Sequence, residues 1–123
     1  MRLHHHPLSS YSRKTTIGIG LRGDDIALVE LDPLNGGLRD PAFLALSPFG
    51  KMPVLELEGG AVFESTSILE HLEALGPRRL IPVEPALAQR ARHYDRLGDH
   101  YLLEPIGAFF WNTQSESSGS NEI

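Results

Sequence analysis

Lys51-Met52-Pro53-Val54-Leu55-Glu56-Leu57-Glu58-Gly59-Gly60-Ala61-Val62-Phe63-Glu64-Ser65-Thr66-Ser67-Ile68-Leu69-Glu70 is the stretch that decides the fold. Val54 to Leu57 and Ala61 to Phe63 are spaced for an antiparallel hairpin over Glu58-Gly59-Gly60. From Ser65 to Leu75, apolar residues recur at Ile68, Leu69, Leu72 and Leu75, which is helical spacing, and Gly76-Pro77 stops the run. Pro53 opens the first strand, where an isolated X-Pro bond is trans in all but about 5–6% of cases. Ser65 caps a helix starting near Thr66.

Upstream, Arg2 to His6 reads as a short strand stopped by Pro7. A helix follows from about Ser10 to Leu21, with Ser9 or Ser10 as its N-cap. Thr15, Thr16 and Ile17 are β-branched, and Gly18 and Gly20 each cost about 1 kcal/mol relative to alanine. This helix therefore depends on tertiary packing. Ile26 to Asp32 is an apolar run suited to a buried parallel strand. Pro33 to Asp40 is a loop, and Pro41 starts a helix carrying Phe43, Leu44 and Leu46 that ends at Ser47-Pro48-Phe49-Gly50. The order β-α-β-α-β-β-α is an α/β arrangement of the thioredoxin-like kind. Its first two strands are parallel across a helix and its last two form a hairpin.

Downstream, residues 78–85 read as a surface linker between a first domain over residues 1–77 and a second helical segment over residues 86–111. Leu87, Ala91, Tyr94, Leu97 and Tyr101 form one stripe of that segment, and Pro105 is expected to kink or end it. Residues 112–123 are polar, serine-rich and aperiodic, and disorder is expected there.

The 123 residues fit one domain on the length prior, with 41% hydrophobic and 22% charged residues. A net charge of -5 gives no electrostatic reason to expect nucleic acid or an anionic membrane as partner. No apolar run approaches a membrane span, and the first residues lack the apolar segment of a secretion signal. Cysteine is absent, so disulfides, thiolate metal sites and a cysteine nucleophile are excluded. This is compatible with a cytoplasmic protein. His4-His5-His6 does not read as a metal site, because alternation in a strand splits the three rings between two faces.

Three short segments carry the chemistry. Ser9-Ser10-Tyr11-Ser12 lies where a strand passes into a helix N-terminus, whose amides and dipole favour an anion such as a thiolate. A hydroxyl bonded to that sulfur lowers the thiol pKa, at about 1.4 kcal/mol per unit. Glu64 suits an ammonium, and the helix start at Ser65 and Thr66 suits a carboxylate. The same serines also read as ordinary caps.

Taken together, Ser9-Ser10-Tyr11-Ser12, Met52-Pro53 and Glu64-Ser65 resemble the amino-terminal domain of serine-type glutathione S-transferases. The resemblance covers about residues 1–105 and is strongest from Phe49 to Leu75. It implies glutathione as co-substrate, no metal, and a thioredoxin-like domain followed by the first helix of an all-helical domain. By the resemblance, Ser9 activates the thiol, with Ser10 and Tyr11 as alternates. Pro53 is cis, and Met52 offers its N–H and C=O to the cysteinyl unit. Glu64, Ser65 and Thr66 hold the γ-glutamyl group, and Lys51 meets the glycine carboxylate. Asp95 or Asp99 occupies the region where several such enzymes touch the γ-glutamyl amine. The implied reaction is attack of the bound thiolate on a small electrophile. The non-catalytic alternative is a glutathione-binding or protein-interaction module. A homodimer or another protein partner would cover the first and third helices, because the family's helical domain is represented only by its opening helix. Gly18 and Gly20 depart from the family's usual helix formers.

Overall fold

The computed structural model describes residues 1–118 of the chain, which divide into two compact units, Met1–Pro82 and a second unit from Val83. In the first, β1 (Arg2–His5), α1 (Ser10–Arg22), β2 (Ala27–Glu30), α2 (Pro41–Leu46), β3 (Val54–Leu57), β4 (Gly60–Phe63) and α3 (Ser65–Ala74) follow in chain order. The four strands form one sheet in the order β2-β1-β3-β4. β1 and β2 are parallel, and the other two pairings are antiparallel. This is the α/β, thioredoxin-like arrangement that the element order implies.

Leu3, Ile19, Ile26, Leu55, Ile68 and Leu72 form the core between the sheet and the two helices α1 and α3. Alternation sends His4 to the opposite face from Leu3. There its ring lies 6.2 Å from that of the buried Phe43 of α2.

α1 and α3 meet once per turn along their length. Lys14 Nζ donates to Thr66 Oγ1 at 2.9 Å. Four residues on, a Cβ placed on Gly18 would lie 2.5 Å from Leu69 Cδ2 and 3.0 Å from Leu80 Cδ1. Four residues further, the Arg22 guanidinium lies 3.5 Å from Glu73 Oε1. The step of four on α1 and of three or four on α3 keeps each contact on one helix face. Gly18 thus lets the helices approach, whereas a Cβ on Gly20 would meet nothing within 4 Å.

The end of this contact is a buried ionic clasp. Arg22, only 2% exposed, donates to Asp24 at 2.7 Å and to the carbonyl of Arg78, and Arg78 donates back to the Arg22 carbonyl at 2.6 Å. Glu73 accepts from the Leu80 amide, and Arg79 lies 3.7 Å from its second oxygen. Residues 78–80, read from sequence as part of a surface linker, are therefore fastened to the first unit. Two adjacent arginines between Pro77 and Pro82 look like a linker locally, and Arg22, which holds Arg78, lies 56 residues away.

β2 corrects a second expectation. It is an edge strand rather than a buried one, and Leu28 is 55% exposed. An apolar run reports affinity for a sheet without saying how many neighbours the strand will have.

In the second unit, α4 (Pro85–Gly98) is capped by Glu84, whose carboxylate accepts from the Ala86 and Leu87 amides at 3.0 and 2.7 Å. A π turn over Asp99–Leu103 leads into α5 (Glu104–Ser118). Pro105 therefore neither ends the helix nor stands where it would break an α register. The Glu104 amide reaches back five residues to Asp99, so the widened turn absorbs the missing donor of the proline. The helix also runs to Ser118, through residues 112–118 that were expected to be disordered. Polarity without periodicity does not prevent a helix that is already nucleated from propagating. The rest of the expected tail, residues 119–123, lies outside the described residues.

Candidate functional site

Strand register brings the sequence-predicted residues of the first unit to one edge of the sheet. His4 of β1 pairs with Val54 of β3, and Val54 pairs with Phe63 of β4. Beyond that rung the chain leaves β1 towards Ser9, enters β3 from Met52-Pro53 and leaves β4 into Glu64-Ser65. Three segments distant in sequence thus emerge side by side. Phe49 adds an edge-on ring contact to Phe63 at 5.8 Å.

Ser9 is the N-cap of α1, and its Oγ accepts from the Ser12 amide at 3.2 Å. Ser10 opens the helix, half-buried, as is Tyr11. Ser12 is fully buried, and its Oγ accepts from the His6 amide at 3.4 Å. The sequence singles out Ser9 and passes over Ser12 as an anchor of the β1–α1 turn. Capping uses an oxygen lone pair of Ser9 and leaves its O–H to donate.

Met52-Pro53 is a cis peptide, and Pro53 is buried. Among the described residues, no hydrogen bond uses the main-chain N–H or C=O of Met52. The loop before it is fixed by Ser47, a buried residue whose hydroxyl donates to the Lys51 carbonyl at 2.8 Å and accepts from the Lys51 amide at 3.2 Å. The Lys51 side chain is exposed.

Glu64, rather than Ser65, is the cap of α3. Its φ of 72° is rare for a residue with a side chain and costs of order 1–3 kcal/mol. No side chain caps α3, whereas Ser9, Asp40 and Glu84 cap α1, α2 and α4. Ser65, 3% exposed, sits in the first turn with Thr66. Helical geometry leaves first-turn amides without partners inside their own helix, and the dipole makes this end positive. Lys14, which the sequence reading missed, adds a cation here through Thr66.

Asp95 and Asp99 belong to the second unit, where Arg96 reaches them at 3.3 and 2.6 Å. Glu56 of β3 binds two residues of β1, Arg2 on one carboxylate oxygen at 2.6 Å and His4 on the other at 2.7 Å. Burial lowers the pKa of His5, with Glu30 opposing and His6 adding to the shift. Among the described residues, no cluster of histidines and carboxylates could hold a metal ion. Among the same residues, no helix is long and apolar enough to cross a membrane.

Residues 3–80 match the family profile of the glutathione S-transferase N-terminal domain. The chain belongs to the glutathione S-transferase family. Within that family it is 32% identical over 96 residues to a maleylacetoacetate isomerase of Pseudomonas aeruginosa, covering 75% of this chain and 45% of that protein. The crystal structure of a possible glutathione S-transferase from Rhodopseudomonas palustris superposes with a TM-score of 0.79 at 33% identity, over 89% of this chain and 54% of the other. A glutathione transferase homologue from Sulfitobacter, solved with bound glutathione, superposes at 0.74 with 25% identity, over 80% of this chain and 48% of that one. The chain spans about half the length of these family members.

Proposed function

We propose that this chain binds glutathione at the sheet edge where Ser9, Met52 and Ser65 emerge, and lowers the pKa of its thiol for attack on a small electrophilic carbon. The observation that carries the reading is the α3 N-terminus. It lacks a side-chain cap, starts at a buried serine and follows a glutamate held at positive φ. Such an end suits a carboxylate, and the neighbouring Glu64 suits an ammonium, so the pair fits the amino-acid end of a γ-glutamyl peptide. Met52 presents an unpaired peptide group for a short strand addition, and Lys51 faces solvent where a glycine carboxylate would end. The Sulfitobacter homologue with bound glutathione supports the choice of ligand.

Glutathione supplies the sulfur. Ser9 donates its hydroxyl hydrogen to that sulfur and favours the thiolate over the thiol, together with the α1 N-terminus. This is electrostatic stabilisation and involves no covalent bond to the chain. Ser10 and Tyr11 are the alternate donors in the same turn. The Ser9–Ser12 cap favours a second reading, a binding module in which Ser9 is structural.

Calorimetric titration with glutathione and a conjugation assay separate the two readings. Ser65→Ala is expected to weaken binding about tenfold. Ser9→Ala is expected to reduce the conjugation rate about a hundredfold with little change in affinity. Because it also removes a cap worth about 1 kcal/mol, the assay belongs well below the melting temperature. Binding by a folded chain that conjugates no electrophile would leave the module; no binding by a folded chain would remove the glutathione reading.

A further inference from the structure

We infer that Ser47 is a positioning residue of the glutathione site, aiming the Met52 amide through the peptide unit that joins Lys51 to Met52. The inference deepens the glutathione reading above and rests on it. Ser47 is 1% exposed and so touches no ligand. Its hydroxyl donates to the Lys51 carbonyl at 2.8 Å and accepts from the Lys51 amide at 3.2 Å. The Lys51 carbonyl and the Met52 N–H belong to one planar unit, and the cis bond is the next one, Met52-Pro53. In a trans unit these two groups point in opposite directions. A hydroxyl that grips the carbonyl from inside the loop therefore turns the N–H outward. A donor on the carbonyl also polarises the amide and strengthens its N–H as a donor.

The grip is firm because Ser47 is itself fixed. Its N–H donates to the carbonyl of the buried Phe43 at 2.9 Å, which ties it to the end of α2. Its carbonyl accepts from the Gly50 amide at 2.9 Å and closes a tight turn over residues 47–50. Gly50 has a φ of 61°, and a Cβ there would lie 3.0 Å from the Leu38 carbonyl, so the turn is also backed from outside. The main-chain N–H and C=O of both Ser47 and Lys51 are thus bonded. Met52 follows them half-buried, at the entrance to β3. A serine that only closed the loop would need no more than its bond from the Lys51 amide. The second bond, to the carbonyl, is the one whose effect reaches Met52. Sequence shows Ser47 merely as the end of a helix, because its partner lies across a turn.

The test is a cycle of two ligands against Ser47 variants by titration calorimetry. The ligands are glutathione and γ-glutamyl-cysteinyl-glycolate, whose ester makes the cysteinyl carbonyl a weaker acceptor for the Met52 N–H. Wild type is expected to prefer glutathione about fivefold. Ser47→Ala is expected to weaken glutathione about tenfold and the ester about twofold, which abolishes the preference. Ser47→Thr keeps the hydroxyl and the preference. Ser47→Cys fills nearly the same space with a weak donor and acceptor. Its preference falls between wild type and Ser47→Ala, and it carries the comparison where thermal melts show Ser47→Ala unfolded. A purely structural serine would weaken both ligands alike, and that outcome, or no loss at all, overturns the inference. A wild type that binds amide and ester equally overturns it too, because the Met52 N–H is then not used. A folded wild type that binds neither ligand would overturn the glutathione reading itself.

Discussion

Glu56 joins two neighbours of β1 with one carboxylate, and the consequence is a dependence on pH. The His4 bond, then the Arg2 bond, holds its carboxyl below the ordinary value of 4.5. A carboxylate depressed in the folded state stabilises the fold above its unfolded pKa and loses that contribution as pH falls through the folded value. Glu56→Gln is thus expected to narrow the gap to wild type between about pH 5 and pH 3, in thermal melts taken across that range. A gap that stays constant would show that the two bonds do not favour the charged form. At this scale the sequence shows residues whose role is local. Ser9 caps the helix it precedes, and Met52-Pro53 opens the strand it abuts. Lys14 and Glu73 escape notice because their partners lie 52 and 51 residues away. A lone lysine and a lone glutamate on a helix look like ordinary solvated charges.

Among the elements, α1 looks weakest on propensity, and its two glycines differ in what they do. Gly20 has open space where a side chain would go. Gly20→Ala is expected to stabilise the fold by about 0.5–1 kcal/mol, seen as a higher urea midpoint. Gly18→Ala gains the same propensity but presses on Leu69 and Leu80, so its midpoint falls below that of Gly20→Ala. Equal midpoints would mean that the two leucines move aside without loss. The hairpin and α3 are legible because turn chemistry and apolar period agree within one short window. β2 and α5 are misread for a different reason. Whether a strand lies at an edge, or a polar helix continues from a stable one, depends on neighbours that no local window contains.

Within the first unit, α1 and α3 start together at the edge proposed to bind glutathione and finish together at the Arg22–Glu73 clasp. Removing one partner of a buried ion pair leaves the other charge uncompensated. Glu73→Gln is expected to cost about 3 kcal/mol in urea unfolding, with glutathione affinity unchanged in the fully folded protein. A loss under 1 kcal/mol would indicate that Asp24 and the Arg78 carbonyl suffice for Arg22. Eight residues of α3 separate Ser65 from Glu73, about 12 Å along a helix axis. Substitutions that far apart, with no shared partner, contribute independently. The parallel helix pair therefore lets the chain accumulate changes at the clasp, for hardiness, without retuning what the opposite end recognises. Evolution and the protein engineer can treat the two ends as separate dials.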